Sequence, residues 1–276
     1  MANYPHQPYG QPPYGHQQQH PQNYQQPYGQ PGYGAWGAGV QQEHVEQGAE
    51  RLAFLRKVYG LFAGSIGVSA VGAMIALYAG ADASQIAWGG VRVPPLVALV
   101  ASSPLITFFV AIGIVIGASA VRKVRGLNVA ALFGMAFLLG IIFAPSLFVA
   151  QLYASTGETL SASPIRDAFI LSTLMFGGLT GYVVVSKRDF SFLGSALTMG
   201  LFVILGAALL NLFLQSSVLG LAIASVGVLL FGGYVLFDTW RILRTDDRDA
   251  VGGAMRLYLD FLNLFLYLLR IFGSRR

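Results

Sequence analysis

The sequence predicts an all-α integral membrane protein with seven transmembrane helices, six of them arranged around a half-polar seventh. Charged residues make up only 11% of the 276 residues, whereas a soluble domain has roughly 25%. Apolar residues follow one another continuously, which favours helices over the alternating strands of a β-barrel. Five runs contain no Asp, Glu, Lys or Arg and approach or exceed the ~20 residues that cross a bilayer: 58–81, 93–121, 126–157, 168–186 and 190–237.

These runs define the predicted spans. The last run is long enough for two helices, and its polar stretch at 214–217 marks the turn between them. A seventh segment, LYLDFLNLFLYLLRIFG at 257–273, is short and half-polar, so we predict that it packs inside the bundle. GxxxG spacing, typical of closely packed membrane helices, occurs at Gly60/Gly64, Gly113/Gly117 and Gly177/Gly181. The transmembrane domain is thus predicted at 58–273, with spans near 58–80, 95–120, 127–153, 167–186, 190–213, 218–240 and 257–273.

The N-terminal region differs in composition from the rest of the chain. Pro, Gln, Tyr, Gly and His make up nearly all of residues 1–39, with Pro-Tyr-Gly repeated three times. Because such a segment has few apolar side chains to bury, we predict that residues 1–40 form a disordered cytosolic tail. Residues 41–57 are charged and are predicted to form a helical lead-in to the first span.

The number of Lys and Arg residues alternates between high and low from one loop to the next. Three precede the first predicted span, one follows it, and three follow the second, and the alternation continues to the sixth. The positive-inside rule therefore predicts a cytosolic N-terminus. Arg275 and Arg276 would lie outside if the seventh segment crossed completely, so a re-entrant segment is the alternative. Since the basic residues cluster at helix ends, the net charge of +5 is a topology signal and does not indicate nucleic-acid binding.

Two aspartates are the strongest candidates for a functional site. Asp238 lies three residues before Arg241, and Asp260 lies four residues after Arg256. At ~1.5 Å per residue, both fall roughly 5–6 Å inside the cytosolic edge, at matching depth on adjacent antiparallel helices. An ionisable group inside a span indicates function because its charged form costs about 2.5–3.5 kcal/mol there. Asp238 and Asp260 can therefore meet as a dyad.

The chemistry of such a dyad is proton-dependent. Ionisation of one carboxyl group opposes ionisation of the other. When the two groups share one proton, a hydrogen bond ties the helices together. When both are ionised, their repulsion separates the helices or their two negative charges attract a hard cation. Ca²⁺ prefers oxygen ligands, which makes Asp238 and Asp260 candidate transient calcium ligands. In the alternative, each aspartate is satisfied by a local pair, Asp238 with Arg241 and Asp260 with Arg256. Asn263, one turn after Asp260, is a candidate path-lining residue.

Several segments resemble the Bax-inhibitor family over about residues 50–273. The segments FDTWRI at 237–242 and LYLDFLNLFLYLLRIFG at 257–273 resemble its C-terminal signature. SKRDFSFLGSAL at 186–197 is similar to its junction between the fourth and fifth helices, and FLRKVYGLFAGSIGVSAVGA at 54–73 to its first helix. The resemblance implies seven helices, six around a central seventh, and a pH-sensitive calcium leak gated by an aspartate dyad that matches Asp238 and Asp260.

The resemblance also implies a basic partner for the dyad. Family members latch it to an arginine of the second helix, but residues 93–121 contain none. The candidates are therefore Arg92 and Arg122 at the ends of that run, together with Arg241 and Arg256 beside the aspartates.

No enzyme activity and no cofactor are predicted. Intramembrane aspartyl proteases carry their second aspartate in Gly-x-Gly-Asp, whereas this chain has Leu257-Tyr-Leu-Asp260, and all four histidines precede the first span, which leaves no base for a serine nucleophile. The alternative function is a membrane interaction protein that regulates a protease or a cell-death or stress partner without conducting ions. Ala- and Gly-rich helices without cysteine suit a bacterial inner membrane, with an endomembrane as the alternative.

Overall fold

The computed structural model describes residues 34–80, 85–87, 91–157, 161–186, 188–244 and 248–274. The chain divides into two compact units, Met1–Glu46 and Gln47–Arg276, and the second contains every site considered below. The elements in chain order are α1 Gly34–Tyr78, β1 Gln85–Ala87, β2 Val91–Val93, α2 Pro95–Ala101, α3 Pro104–Val121, α4 Leu127–Ser155, α5 Pro164–Ser186, α6 Leu193–Leu214, α7 Ser217–Arg244 and α8 Ala250–Phe272.

Six helices of the described residues are long and apolar enough to cross a membrane. They are Gly48–Tyr78 within α1 and the complete helices α3, α4, α5, α6 and α7. The expectation of a helical, multi-span membrane protein is confirmed. The last helix, α8, is not among these six, because its apolar residues are interrupted by charged ones.

Helix α8 is the most buried element of the described fold. Thirteen of its 23 residues are buried, compared with one of 18 in α3. It packs against α4, α5 and α7, and the Phe261 ring meets Phe62 of α1 and Phe176 of α5 edge to face, with centroids 5.9 Å apart in both pairs. Asp260 and the partly buried Arg256 of α8 therefore face protein, where partners lower the cost of charge in a membrane.

Helices α1 and α4 cross in close contact. A Cβ atom on Gly140 would collide with the Ser69 carbonyl oxygen, and one on Gly72 would collide with the Phe137 carbonyl oxygen. Small residues allow this approach because they leave room for the opposing backbone. The GxxxG pairs Gly113/Gly117 and Gly177/Gly181 do not mark such a contact, since added Cβ atoms there would meet nothing within 4 Å.

The predicted second span, 95–120, is not one helix. It is divided into α2 and α3 at Ser102 and Ser103. Pro104 begins α3, and proline disfavours the helical conformation of the residue before it, so Ser103 has φ −139° and ψ 75°. Thr107 Oγ1 donates to the Val100 carbonyl across the break at 2.8 Å. The β1–β2 hairpin before α2, with Gln85 opposite Val93, was not predicted.

The predicted N-terminal boundaries also differ from the structure. Residues 34–40 belong to α1, which continues without interruption through the predicted lead-in at 41–57 and into the first span. The remaining part of the predicted tail, residues 1–33, lies outside the described residues.

The α1–α4 crossing predicts an asymmetric response to alanine substitution within one helix. Gly140→Ala should lower the free energy of unfolding by about 1–3 kcal/mol, because the new methyl group must displace backbone of α1. Gly134→Ala is the matched control, since its Cβ would meet nothing within 4 Å. Thermal unfolding of the purified variants in bicelles tests this expectation. Equal midpoints for the two variants would contradict the close crossing.

Candidate functional site

The structure brings Asp238 and Asp260 together. Asp238 lies six residues before the end of α7, and Asp260 lies ten residues into α8, so the antiparallel packing of the two helices places them at one level. Both are buried, with 5% and 4% of their surface exposed. The two carboxyl groups lie close enough for each charge to act on the other.

Arg256 completes the cluster. Its Nε atom lies 3.5 Å from Asp238 Oδ1, in an ion pair whose arginine and aspartate side chains are 21% and 7% exposed. Arg256 is one turn before Asp260 on α8, and it also attracts the charge of Asp260. The three side chains therefore form one cluster that joins α7 to α8, in place of the two local pairs that the alternative interpretation of the sequence predicted. Arg241, one turn after Asp238, adds a weaker attraction.

The two aspartates differ in their surroundings. Asp238 has Arg256 within ion-pair distance. The Oδ2 atom of Asp260 is buried and, within the described part of the chain, accepts no hydrogen bond of ordinary geometry. A buried carboxylate oxygen without a donor is costly. Asp260 is therefore the less well stabilised of the two as an anion.

Both carboxyl groups lie on the wall of a cavity of about 950 Å³, which we call the dyad cavity. Residues of α2, α3, α4, α6, α7 and α8 line it, and most are apolar. Asn263, the predicted path-lining residue, lies on this wall, and its Nδ2 atom donates to the Leu259 carbonyl of the same helix at 2.7 Å. Ca²⁺ takes six to eight oxygen ligands, so two carboxyl groups would need further oxygen ligands, from water or from neighbouring polar groups, to complete the shell.

The other predicted basic partners lie elsewhere. Arg92 is on β2, exposed, and forms no ion pair with any described residue. Arg122, at the end of α3, pairs with Asp249, with 3.6 Å between Nε and Oδ2. Neither of these two predicted partners contacts the dyad, whereas Arg241 and Arg256 both line the dyad cavity.

Sequence reasoning missed Asp249. This residue is the N-cap of α8, and its Oδ1 atom accepts a hydrogen bond from the Gly252 amide at 2.8 Å. The predicted start of the seventh helix, at 257, is therefore too late, because α8 begins at Ala250. An aspartate is a preferred N-cap, but Gly252 and Gly253 lie in the first turn of the helix and obscure the helix signal. Through Asp249 and Arg122, the start of α8 is tied to the end of α3.

Comparison with known proteins places this site in a family context. The family model described as "Inhibitor of apoptosis-promoting Bax1" matches residues 51–276, which include α7, α8 and both aspartates. The chain belongs to the Bax-inhibitor family. Over 224 residues, 80% of this chain and 88% of the relative, it is 36% identical to an uncharacterised protein of Campylobacter jejuni. Over 221 residues, 80% of this chain and 84% of the relative, it is 35% identical to protein lifeguard 4 of Mus musculus.

A shorter match extends the Bax-inhibitor relationship to a bacterial membrane protein. The chain is 40% identical to inner membrane protein YbhL of Escherichia coli over 141 residues, which are 45% of this chain and 60% of that protein. This match and the six long apolar helices agree that the chain is a multi-span membrane protein.

The different surroundings of the two aspartates predict different stabilities for their amide variants. Asp238→Asn should lower the free energy of unfolding by about 1–3 kcal/mol, because it leaves the Arg256 charge with a neutral neighbour. Asp260→Asn should leave stability unchanged or raise it, because the amide cannot acquire the second negative charge that Asp260 gains when it loses its proton. Thermal unfolding at pH 7 distinguishes the two, and a larger loss for Asp260→Asn would contradict the assignment of Arg256 to Asp238.

The N-cap role of Asp249 predicts that its alanine and asparagine variants differ in stability. Asp249→Ala should cost about 0.5–2 kcal/mol and speed hydrogen exchange of the Gly252 amide, because the acceptor is lost. Asp249→Asn keeps a side-chain acceptor and should cost less. Hydrogen exchange with mass spectrometry on the first turn of α8 provides the measurement. Equal exchange rates in the two variants would show that the ion pair with Arg122, rather than the cap, holds this turn.

Proposed function

We propose that this Bax-inhibitor family protein is a pH-sensitive calcium leak channel of a bacterial inner membrane. The observation that carries the proposal is the buried contact between Asp238 and Asp260 on the wall of the dyad cavity. Two carboxyl groups on adjacent helices respond to protons, and the same oxygens attract a divalent cation. In this proposal α8 is the seventh membrane helix, enclosed by the six apolar ones.

Ion pairs at one end of the bundle support a cytosolic N-terminus. Arg248, before α8, pairs with Glu50, near the start of the Gly48–Tyr78 stretch of α1, at 2.8 Å. Arg122 and Asp249 join the end of α3 to the start of α8. These contacts gather Arg-rich segments and the beginning of the first span at one face. The positive-inside rule assigns that face to the cytosol.

The geometry supports a direction for the pH response. Arg256 neutralises Asp238, and the proton of the pair resides on Asp260, whose Oδ2 atom lacks a hydrogen-bond donor among the described residues. When that proton leaves, two negative charges face each other across the α7–α8 contact. The repulsion loosens the contact, and the added charge draws Ca²⁺ into the dyad cavity. Calcium flux should therefore rise with pH.

Calcium flux into liposomes that contain the purified protein tests this function. In an assay series from about pH 5 to 8, we expect flux above that of protein-free liposomes and higher flux at higher pH. Asp260→Asn should keep flux low and remove its pH dependence, because the amide imitates the protonated state. Asp189→Asn is a control outside the spans. Hydrogen bonds from Ser191 hold the pKa of Asp189 below its usual range, so Asp189 stays ionised throughout this interval and its replacement should not alter the profile.

Two results would overturn parts of the proposal. Flux no greater than that of protein-free liposomes at every pH would reject the channel and favour an interaction protein that regulates a protease or a cell-death or stress partner. Flux whose pH dependence survives in both Asp238→Asn and Asp260→Asn would keep the channel and reject the dyad as its sensor.

A further inference from the structure

A second cavity lies on the opposite side of α8 from the dyad. Its volume is about 530 Å³, and residues of α1, α4, α5 and α8 line it. It extends from Ser69 and Tyr258 to Tyr78, Gln151 and Arg166, which lie at or near the far ends of α1, α4 and α5. The second cavity thus begins near the level of the dyad and leads toward the other end of the bundle.

Helices α4 and α8 form the partition between the two cavities. Successive faces of α8 point to different sides: Arg256, Leu259, Asp260, Asn263 and Tyr267 line the dyad cavity, and Tyr258, Phe261, Phe265 and Leu266 line the second cavity. The same division holds on α4, with Leu139, Ile142 and Ser146 on one side and Gly140, Leu147 and Gln151 on the other. Two side chains, Phe143 of α4 and Leu262 of α8, line both cavities.

We propose that Phe143 and Leu262 form an apolar gate that separates the dyad cavity from the second cavity and closes a path through the protein. This inference rests on the proposed channel function and identifies where the path is interrupted. An apolar constriction excludes water, and without water a cation loses its hydration and does not pass. Removing side-chain volume at either position should let the two cavities join.

Polar groups on both sides of this partition support its role as the barrier. On the dyad side are Asp260 and Asn263. On the other side the buried Tyr258 hydroxyl donates to Ser69 Oγ at 3.0 Å, and Gln151 lies farther along the wall. A hydrated cation therefore finds oxygen atoms before and after the two apolar side chains.

The far mouth of the second cavity does not repel a cation strongly. Arg166 lies there, but its Nε atom is 2.9 Å from Asp167 Oδ1, so the charge is paired. Asp167 also accepts a hydrogen bond from Ser161. The partition, rather than this mouth, is the more severe obstacle.

The gate residues lie on the helix that carries Asp260 and on a helix packed against it, so movement of α8 affects both. Leu262 is two residues after Asp260 on the same rigid helix, and Phe143 lies on α4, against which α8 packs. A displacement of α8 that separates Asp260 from Asp238 therefore moves Leu262 relative to Phe143. This geometry links loss of the proton to opening of the partition.

Flux measurements on alanine variants test the gate. Phe143→Ala and Leu262→Ala should each raise calcium flux severalfold at fixed pH. Phe108→Ala and Leu147→Ala are matched controls that shorten side chains lining only the dyad cavity or only the second cavity, and flux should stay close to wild type. Wild-type flux that none of the four variants changes, or that all four raise alike, would overturn the gate.

A second measurement does not depend on calcium flux. The chain has no cysteine, so Ser69→Cys introduces a single thiol in the second cavity. A membrane-impermeant cationic thiol reagent, added from the Asp260 side of oriented vesicles, should react slowly with this thiol. Adding Leu262→Ala should accelerate the reaction, whereas adding Leu147→Ala should not.

The two measurements separate the gate from the channel. Absence of wild-type flux together with accelerated labelling would reject the proposed calcium leak and keep the gate between the cavities. Wild-type flux together with labelling that is equally slow in both backgrounds would keep the channel and reject Phe143 and Leu262 as its barrier.

Discussion

The arrangement of the bundle depends on keeping two carboxyl groups and one arginine out of lipid. A charge in the hydrocarbon region is costly unless a partner or water is near, and Asp238, Asp260 and Arg256 supply one another with partners only while α7 and α8 stay in contact. Helix α8 must therefore be surrounded by protein. Apolar helices enclose it, and its burial is a consequence of the cluster that it carries.

The same helix is fixed at both ends. Asp249 caps its first turn and pairs with Arg122. Near its last turn, the Arg270 guanidinium lies against Gly220 of α7 and the Tyr267 ring against Gly227. Side chains at Gly220 or Gly227 would fill the space that these groups occupy. Intrahelical hydrogen bonds keep the helix stiff, so a repulsion in its middle is transmitted to the contacts at its two ends.

The spacing of charged residues and the length of the helices were sufficient to locate the apolar helices and to place Asp238 and Asp260 at one depth. Helix location and residue depth both depend on position along the chain. Contacts between distant segments were not accessible in this way. Arg256 of α8 pairs with Asp238 of the neighbouring helix α7, and Arg122 pairs with Asp249. Tertiary packing decides which of these groups meet. The Gly140 crossing needed knowledge of its partner helix. Pro104 is a sequence signal for the α2–α3 break. The second span was predicted from the absence of charged residues, which gives the length of an apolar segment but does not show where its helix is interrupted.

That break gives α3 a length close to the minimum for a membrane helix. Its 18 residues span roughly 27 Å at ~1.5 Å per residue, slightly less than a hydrocarbon core of ~30 Å, whereas α4 has 29 residues. Ala118 is its one buried residue, so in a bilayer α3 would expose much of its surface to acyl chains. Hydrophobic mismatch would then act directly on one wall of the dyad cavity. We therefore expect bilayer thickness, which lipid composition sets, to influence the width of that cavity.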